Sequence, residues 1–231
     1  MITVETIRER HSVREYDGKP LARVEFDALG AVVRECTCES GLDIQLVGDN
    51  PEVFSVIARF GLIRGCRTHV AFVVDDAKAR CVAADEAIGY WGQKTVLAAQ
   101  DMGFNTCWCA LCSRKKSRAV VAPGKKIRLI IAVGHGKTQG FTRKTKSVEA
   151  LSSVECAKAP AWFAAAMEAA QLAPTAMNNQ NFKITLLSDG KTVRIDAPQS
   201  GLNVIDEGIV RCNFEIAANE AGADWRWERD I

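Results

Sequence analysis

Four consecutive amide side chains occupy positions 178–181, within the stretch LAPTAMNNQNF that covers residues 172–182. Each primary amide offers both donors and acceptors, and a buried amide needs several hydrogen-bond partners. Pro174 ends an alanine-rich helix and a strand begins near Lys183, so the amides lie in a helix-to-strand connection. They would suit the edge of a flat heterocycle that alternates donors and acceptors. The alternative is an ordinary polar loop.

A cluster of basic residues follows the N-terminal helix in the stretch RERHSVREY. Two guanidiniums and a hydroxyl within five residues can hold a phosphate through several hydrogen bonds. The alternative is a solvated basic turn. The residues of interest are Arg10, His11, Ser12 and Arg14.

A second basic stretch, HGKTQGFTRKTKS, follows a predicted strand at residues 127–134. Glycines allow the backbone to approach a ligand closely, and the cations favour an anion. The stretch has no G-x-x-x-x-G-K-[ST] pattern, so it is not a P-loop, and a solvated loop is the alternative. Its cations are Lys137, Arg143, Lys144 and Lys146.

The cysteines form a third candidate group, because Cys107, Cys109 and Cys112 lie close together in TCWCALC. Such a triplet could bind a metal or an iron–sulfur cluster, but the C-x-C spacing is uncommon for zinc and no fourth ligand is assigned. The three histidines fit no ligand spacing, so we predict no metal site. The chain has 9 cysteines and no secretory signal, which favours free thiols over a disulfide framework.

Composition excludes several classes of protein. The 231 residues are 48% hydrophobic and 25% charged, which is typical of a globular protein with ample core material. The net charge of +2 leaves no broad basic face for a nucleic acid. No apolar run approaches the ~18–20 residues that span a bilayer, and no signal peptide is found, so we expect a cytoplasmic protein without membrane contact. Hydrolase, zincin and Rossmann motifs are absent from the sequence.

The periodicity of hydrophobic residues and the positions of helix-breaking residues predict alternating helices and strands. Helices are predicted at residues 3–10, 23–36, 51–60, 84–103, 160–172 and 207–222. Strands are predicted at 42–49, 68–74 and 127–134, with a hairpin at 183–197 that turns on Asp189-Gly190.

The order of elements repeats, and a fixed offset supports an internal repeat. Five residues, Gly89, Ala98, Ala99, Gly103 and Trp108, each lie 119 positions before an identical residue, namely Gly208, Ala217, Ala218, Gly222 and Trp227. We therefore predict two related halves, 1–146 and 147–231, that together form one compact unit. Chance matches between common small residues are the alternative.

Taken together, these stretches resemble the FMN-dependent nitroreductase family. The resemblance is carried by RHSVREY, GYWGQKTVLAAQDMGFNTCW, VGHGKTQGFTRKTKS and APTAMNNQNF, which are spread over nearly the whole chain. It implies an α+β nitroreductase-like fold, with a mixed or antiparallel sheet, surrounding helices and two pseudo-symmetric halves in one chain.

The resemblance also implies roles for individual residues at an FMN site. Arg10, Ser12, Arg143, Lys144 and Lys146, with His11 beside them, would bind the ribityl phosphate, and Arg14 would face the flavin pyrimidine. Near the reactive edge of the flavin would lie Thr106, Cys107 and Trp108. The ring would be covered by Pro174, Thr175, Ala176, Asn178 and Gln180.

One large departure from the family pattern is the order of the motifs. The proline motif normally follows the arginine motif within a few tens of residues, but here Arg10 and Pro174 are 164 positions apart. At the usual position stands RECTCESGLDIQL, which has neither Pro nor Asn. A fused pair of half-degenerate subunits would explain this order. Such a chain would bind a single FMN and would be a monomer or form a homodimer. Asn181 and Phe182 also replace the usual Pro and Trp.

The resemblance implies a ping-pong oxidoreductase. NADH or NADPH would reduce the flavin at N5. A small-molecule electron acceptor, such as a nitroaromatic or a quinone, would then oxidise the flavin. No catalytic side chain is required. Two alternatives come from other classes of protein. In a flavin-binding storage or sensor protein, NADH would not bleach the bound flavin. A cysteine-based metal or iron–sulfur protein would contain metal.

Overall fold

The computed structural model describes residues 2–54, 63–78, 81–155 and 158–229. Internal packing divides the chain into two compact units, and each unit is assembled from separate segments. The helix-rich unit consists of Met1–Glu9, Arg80–Gln93 and Arg143–Ile231, and the sheet unit consists of Arg10–Ala79 and Lys94–Thr142. These units differ from a division at residue 146, because the N-terminal helix and the first part of the long helix pack against the last helix.

The sheet unit is built on a four-stranded antiparallel sheet. Its elements are α2 (Arg23–Ser40), β1 (Asp43–Val47), β2 (Thr68–Asp75), β3 (Asn105–Cys109) and β4 (Lys125–Gly134). The strand order is β1-β2-β4-β3, and every pairing is antiparallel. The central strands β2 and β4 consist mostly of buried apolar residues. Helix α2 packs on β1 and buries Leu29 and Val33.

Most predicted elements of the sheet unit are confirmed, and one strand is additional. The three predicted strands correspond to β1, β2 and β4, and the predicted helix 23–36 continues to Ser40. Strand β3 was not predicted, although it alternates β-branched and aromatic residues with cysteines. Of the predicted helix 51–60, Pro51–Phe54 forms a 3-10 turn, and the remainder lies outside the described residues.

The helix-rich unit combines helices with a three-stranded sheet of order β5-β6-β7. Its helices are α1 (Val4–Glu9), the part of α3 (Val82–Asp101) up to Gln93, α4 (Val148–Leu151), α5 (Ala161–Gln171) and α6 (Asn203–Glu220). Its strands are β5 (Lys183–Leu186), β6 (Thr192–Asp196) and β7 (Arg226–Trp227). The first pairing is antiparallel and the second is parallel, so the predicted α+β fold with mixed and antiparallel sheet is confirmed. No helix within the described ranges has both the length and the apolar composition needed to cross a membrane.

The predicted hairpin 183–197 is confirmed, and its turn has a clear chemical basis. Gly190 has a φ of 70°, a left-handed conformation that glycine adopts without steric cost. The Asp189 carboxylate accepts the backbone N–H groups of Lys191 at 3.1 Å and Thr192 at 2.8 Å. These contacts fix the register of β5 against β6.

Helices α3 and α6 touch through their backbones at two glycines. A Cβ atom built on Gly89 would lie 2.0 Å from the carbonyl oxygen of Ile205, and one on Gly208 would lie 2.0 Å from that of Glu86. The two contacts are reciprocal, because Glu86 and Ile205 are separated by the same 119 positions as the two glycines. Only glycine fits at either position without separating the helices.

The C-terminal ends of α3 and α6 also match at the same offset. Gly103 and Gly222 have φ values of 84° and 66°, and each donates its N–H at 2.9 Å to the carbonyl three positions earlier. This is the glycine stop that the sequence predicts for α3. The element order α2-β1-β2-α3 in the first part of the chain recurs as α5-β5-β6-α6 in the second.

Candidate functional site

The N-terminal basic segment, residues 10–16, is held in the sheet unit by backbone hydrogen bonds. Val13 donates its N–H to the carbonyl of Thr106 at 3.0 Å, and Ser12 forms a parallel bridge with the same residue. Tyr16 and Arg64 are joined by a further backbone bond of 2.8 Å. The predicted phosphate-binding segment and the predicted residue Thr106 of β3 are therefore adjacent.

The side chains of this segment differ in exposure. Arg10 is only 5% exposed, which is unusual for an arginine. His11 and Ser12 are half-buried, and Arg14 is exposed. The segment therefore presents one buried and one exposed guanidinium on either side of a hydroxyl.

The glycine-containing loop that follows β4 packs directly on this segment. Gly136 donates its N–H to the Asn105 side-chain oxygen at 2.9 Å, and the Asn105 amide donates to Gln139 at 2.9 Å. Gly140 has a φ of 84°, and a Cβ on it would lie 2.6 Å from the Cβ of His11. The close packing predicted for these glycines is thus made with the protein's own backbone and side chains.

Strand β3 directs its predicted site residues to two different faces. Trp108 stacks on Phe72, with ring centroids 6.3 Å apart. Cys107 lies two residues from Cys109, and both thiols join a buried cluster that includes Tyr16. Burial raises the pKa of Tyr16 well above its usual value. Because side chains alternate along a strand, Thr106 and Trp108 lie on the face opposite to Cys107.

The predicted amide loop, residues 174–181, is bound to the second basic stretch within the helix-rich unit. Gln180 is 1% exposed, and its side-chain oxygen accepts the N–H of Lys146 at 2.7 Å, while its side-chain nitrogen donates to Gln171 at 2.8 Å. The Lys146 ammonium donates to the Gln180 carbonyl at 2.9 Å. Asn178 donates to the carbonyl of Lys144 at 2.8 Å. Much of the amide capacity that the sequence shows therefore fixes the loop.

The backbone of the amide loop adopts an unusual conformation. Met177, Asn178 and Gln180 have φ values of 53°, 57° and 44°. Left-handed non-glycine residues cost about 1–3 kcal/mol each and cluster at ligand-binding segments. Met177 is 81% exposed. The loop therefore presents a large apolar side chain from a conformation that the surrounding hydrogen bonds maintain.

Asp206, which is not among the residues predicted from the sequence, is hydrogen-bonded to the backbone of the amide loop. It lies in the first turn of α6 and is 8% exposed, and both of its carboxylate oxygens lie 3.0 Å from the Ala176 N–H that they accept. Burial raises its pKa to about 7, although the hydrogen bond from Ala176 opposes the shift. The sequence feature that could have identified Asp206 is an acidic residue in the first turn of a predicted helix.

The structure thus gathers the predicted site residues into two groups, one in each unit. The sheet unit contains Arg10, His11, Ser12, Arg14, Thr106, Cys107 and Trp108. The helix-rich unit contains Arg143, Lys144, Lys146, Pro174, Thr175, Ala176, Asn178 and Gln180. Within the described ranges, no three His, Cys, Asp or Glu side chains are arranged to hold a metal ion.

A family model described as "Putative TM nitroreductase" matches residues 2–218 of the chain. Among solved structures, a "putative nitroreductase" from Thermotoga maritima MSB8 is 20% identical and has a TM-score of 0.70, with 100% of this chain and 90% of that chain covered. A "putative nitroreductase" from Desulfovibrio desulfuricans, solved in complex with FMN, is 17% identical with a TM-score of 0.50 and covers 66% of this chain and 95% of its own.

A third solved structure, a "putative NADH dehydrogenase/NAD(P)H nitroreductase" from Parabacteroides distasonis, is 20% identical with a TM-score of 0.50 and covers 66% of this chain and 95% of its own. No curated protein matches the sequence. At these identities the structural likeness establishes the fold, which is the one that the sequence motifs predict.

Proposed function

Because the chain belongs to the nitroreductase family whose model spans residues 2–218, it is a nitroreductase-like oxidoreductase, and we propose that it is FMN-dependent and oxidises NADH or NADPH. The proposed reaction is a ping-pong transfer of electrons to a small-molecule acceptor of the nitroaromatic or quinone type. The FMN that accompanies the related fold from Desulfovibrio desulfuricans supports the choice of cofactor.

The observation that carries this proposal is the connection between the amide loop and the second basic stretch. The two motifs are 34 positions apart, yet Asn178 and Gln180 bind the backbone of Lys144 and Lys146 directly. These bonds hold the loop beside the cations of the second basic stretch, so positive charge for a phosphate lies next to a loop that could cover a ring. The donor set therefore fits FMN.

In the sheet unit, we assign Arg10 and Ser12 to the ribityl phosphate, with His11 beside them. A guanidinium and a hydroxyl both donate to phosphate oxygens, and a buried guanidinium interacts with an anion more strongly than an exposed one. We assign Arg14 to the pyrimidine edge of the flavin, and Thr106, Cys107 and Trp108 to the neighbourhood of its reactive edge. Cys107 would act through its packing, because its thiol is buried.

In the helix-rich unit, we assign the cations and the amide loop to different parts of FMN. Arg143, Lys144 and Lys146 would serve the phosphate, and the ring would be covered by Pro174, Thr175, Ala176 and Asn178. Gln180 would act by holding the loop, because both ends of its side chain are already hydrogen-bonded within the unit.

Bound FMN would supply the chemistry of hydride acceptance and electron transfer. The residues of the chain would bind, orient and tune it. The Arg14 guanidinium would favour negative charge at the pyrimidine edge, since a fixed positive charge stabilises charge that develops beside it. No side-chain nucleophile or general base is needed, which agrees with the absence of hydrolase motifs from the sequence.

We further propose that the chain is a fused pair of half-degenerate subunits that binds one FMN. The reciprocal contact between Gly89 and Gly208 supports this proposal, because two-fold related contacts pair residue i with j and residue j with i. The matched ends of α3 and α6 support it independently.

An FMN titration tests the cofactor and its stoichiometry. We expect flavin fluorescence or absorbance to saturate at one FMN per chain. Arg10→Ala should weaken FMN binding about tenfold or more, since a charge-assisted hydrogen bond contributes roughly 1.5–3 kcal/mol. Asn178→Ala should weaken it several-fold, because it removes the neutral hydrogen bond to Lys144 that holds the loop. Arg23→Ala and Asn179→Ala are matched controls at exposed positions and should bind as the unmodified chain does. Failure to bind FMN would contradict the proposal, and two FMN per chain would contradict the fused-pair account.

A further inference from the structure

A pair of cysteines at the end of β3 forms a cluster that the proposed flavin chemistry does not use. Cys109 is the last residue of β3, and a bend through Ala110 and Leu111 leads to Cys112. The Cys112 thiol lies 3.6 Å from the Cys109 carbonyl oxygen, and the Cys109 thiol lies 3.5 Å from the Leu111 carbonyl oxygen. Both thiols therefore lie against the same short backbone segment, Cys109 to Cys112.

The bend that carries the pair is anchored on both sides of Cys112. Arg114 donates a guanidinium N–H to the Ala110 carbonyl at 2.8 Å. The N–H of Ser113 donates to the carbonyl of Val53 at 2.8 Å. These bonds anchor the C-x-x-C segment, and the described part of the chain contains no disulfide.

The two cysteines are chemically unequal. Cys109 is 6% exposed within the buried cluster, whereas Cys112 is half-buried beside the exposed Leu111. The hydrogen bond from Cys109 and the charge of Arg114 lower the pKa of Cys112. The same hydrogen bond and burial raise the pKa of Cys109. A thiolate is the nucleophile in thiol–disulfide exchange, so Cys112 is the member of the pair that is ready to attack.

We propose that Cys109 and Cys112 are a redox-active dithiol, which low-molecular-weight disulfides oxidise to an intramolecular disulfide. This site is independent of the flavin chemistry. It rests on the position of both thiols against one short backbone segment, the hydrogen bonds that anchor this segment and the partial exposure of Cys112.

The exchange balances in two steps. The Cys112 thiolate attacks one sulfur of the small disulfide, forms a mixed disulfide and releases one thiolate. Cys109 then transfers its proton to solvent and attacks the Cys112 sulfur, which forms the Cys109–Cys112 bond and releases the second thiolate. Two protein thiols are oxidised, and the small disulfide is reduced to two thiols.

Cys107 is a poor partner in this reaction although it is close in sequence. Residues i and i+2 of a strand are about 6.6 Å apart along the strand, whereas a disulfide needs Cβ atoms about 3.5–4.5 Å apart. Closing a bond between Cys107 and Cys109 would therefore break the pairing of β3 with β4. The intramolecular product should be the Cys109–Cys112 disulfide.

Peptide mapping of the full chain tests the product. The protein is treated with oxidised glutathione, its remaining thiols are alkylated, and the tryptic peptide of residues 95–114 is analysed by tandem mass spectrometry. We expect Cys109 and Cys112 to be linked and Cys107 to be alkylated. Full alkylation of both cysteines, or a disulfide that involves Cys107, would overturn the proposal.

Serine variants test the order of attack. Cys109→Ser should trap the glutathione mixed disulfide on Cys112, whereas Cys112→Ser should leave Cys109 unmodified. Cys38→Ser removes an exposed thiol on α2 and should form the intramolecular disulfide as the unmodified chain does. A stable adduct on Cys109 in Cys112→Ser would refute the assigned order. Because the unmodified chain is itself mapped, a variant that fails to fold leaves the test intact.

Discussion

At the residue scale, the amide loop shows how a polar stretch can serve structure and binding at once. Gln180 uses both ends of its side chain inside the protein, while Met177 remains exposed on the same loop. Sequence alone marks the amides as unusual. It cannot assign which amide is buried, because that depends on contacts with Lys146 and Gln171, 34 and 9 positions away.

Replacing Gln180 by alanine should destabilise the chain by about 1–3 kcal/mol, because it removes the hydrogen bonds that its buried side chain makes with the Lys146 N–H and the Gln171 carbonyl. Urea unfolding measures this change. Asn179→Ala removes the exposed neighbouring amide and should change stability by less than about 0.5 kcal/mol. Equal losses in the two variants would show that Gln180 has no special structural role.

Asp206 should make stability depend on pH. Its pKa in the folded chain, about 7, is higher than the usual 3.8, so the folded state retains the proton when the unfolded state has lost it. The stabilisation from this proton is therefore complete below about pH 4 and is lost as the pH rises to about 7. Compared with Asp206→Asn, the unmodified chain should lose on the order of 4 kcal/mol between pH 4 and 8.

Urea unfolding of both proteins at several pH values tests this expectation. Asp196→Asn is the matched control, since that carboxylate is 59% exposed. Parallel pH profiles for the unmodified chain and Asp206→Asn would exclude Asp206 as the titrating group.

At the element scale, the crossing of α3 and α6 depends on two glycines. Gly208→Ala would place a Cβ 2.0 Å from the backbone oxygen of Glu86, so the helices must separate. We expect a loss of more than about 3 kcal/mol in the free energy of unfolding, or failure to fold, since overpacking against backbone cannot be relieved by a side-chain rotation. Gly89→Ala should behave similarly because its contact with Ile205 is reciprocal.

Gly30→Ala provides the matched control for the helix crossing. Gly30 lies inside α2, where a Cβ would meet the end of the Arg34 side chain at 3.3 Å and would lie in ordinary contact with the Leu46 side chain at 3.8 Å. This substitution should be neutral or stabilise the chain by up to about 1 kcal/mol, because alanine favours a helix interior. Thermal unfolding compares the variants. A tolerated Gly208→Ala would show that the helices do not need this close approach.

At the scale of the whole molecule, the sequence predicts most helices and strands but not how they assemble into units. Periodicity locates α3 and α6, and the offset of 119 residues relates them. It does not reveal that the first part of α3 belongs with α6 rather than with β3, since that grouping arises from the glycine contact. Asp206 was missed for a similar reason, because its partner Ala176 is 30 positions away.

The central claim is that this chain passes electrons from a nicotinamide donor through FMN to a small acceptor. Anaerobic addition of one equivalent of NADH or NADPH to the FMN-loaded chain, followed by a quinone, tests it in one absorbance experiment. The account predicts that the flavin band near 450 nm, a general property of oxidised flavins, bleaches with the donor and returns with the quinone. A flavin band that stays unchanged with both donors would contradict the claim and would leave a flavin-binding protein without turnover.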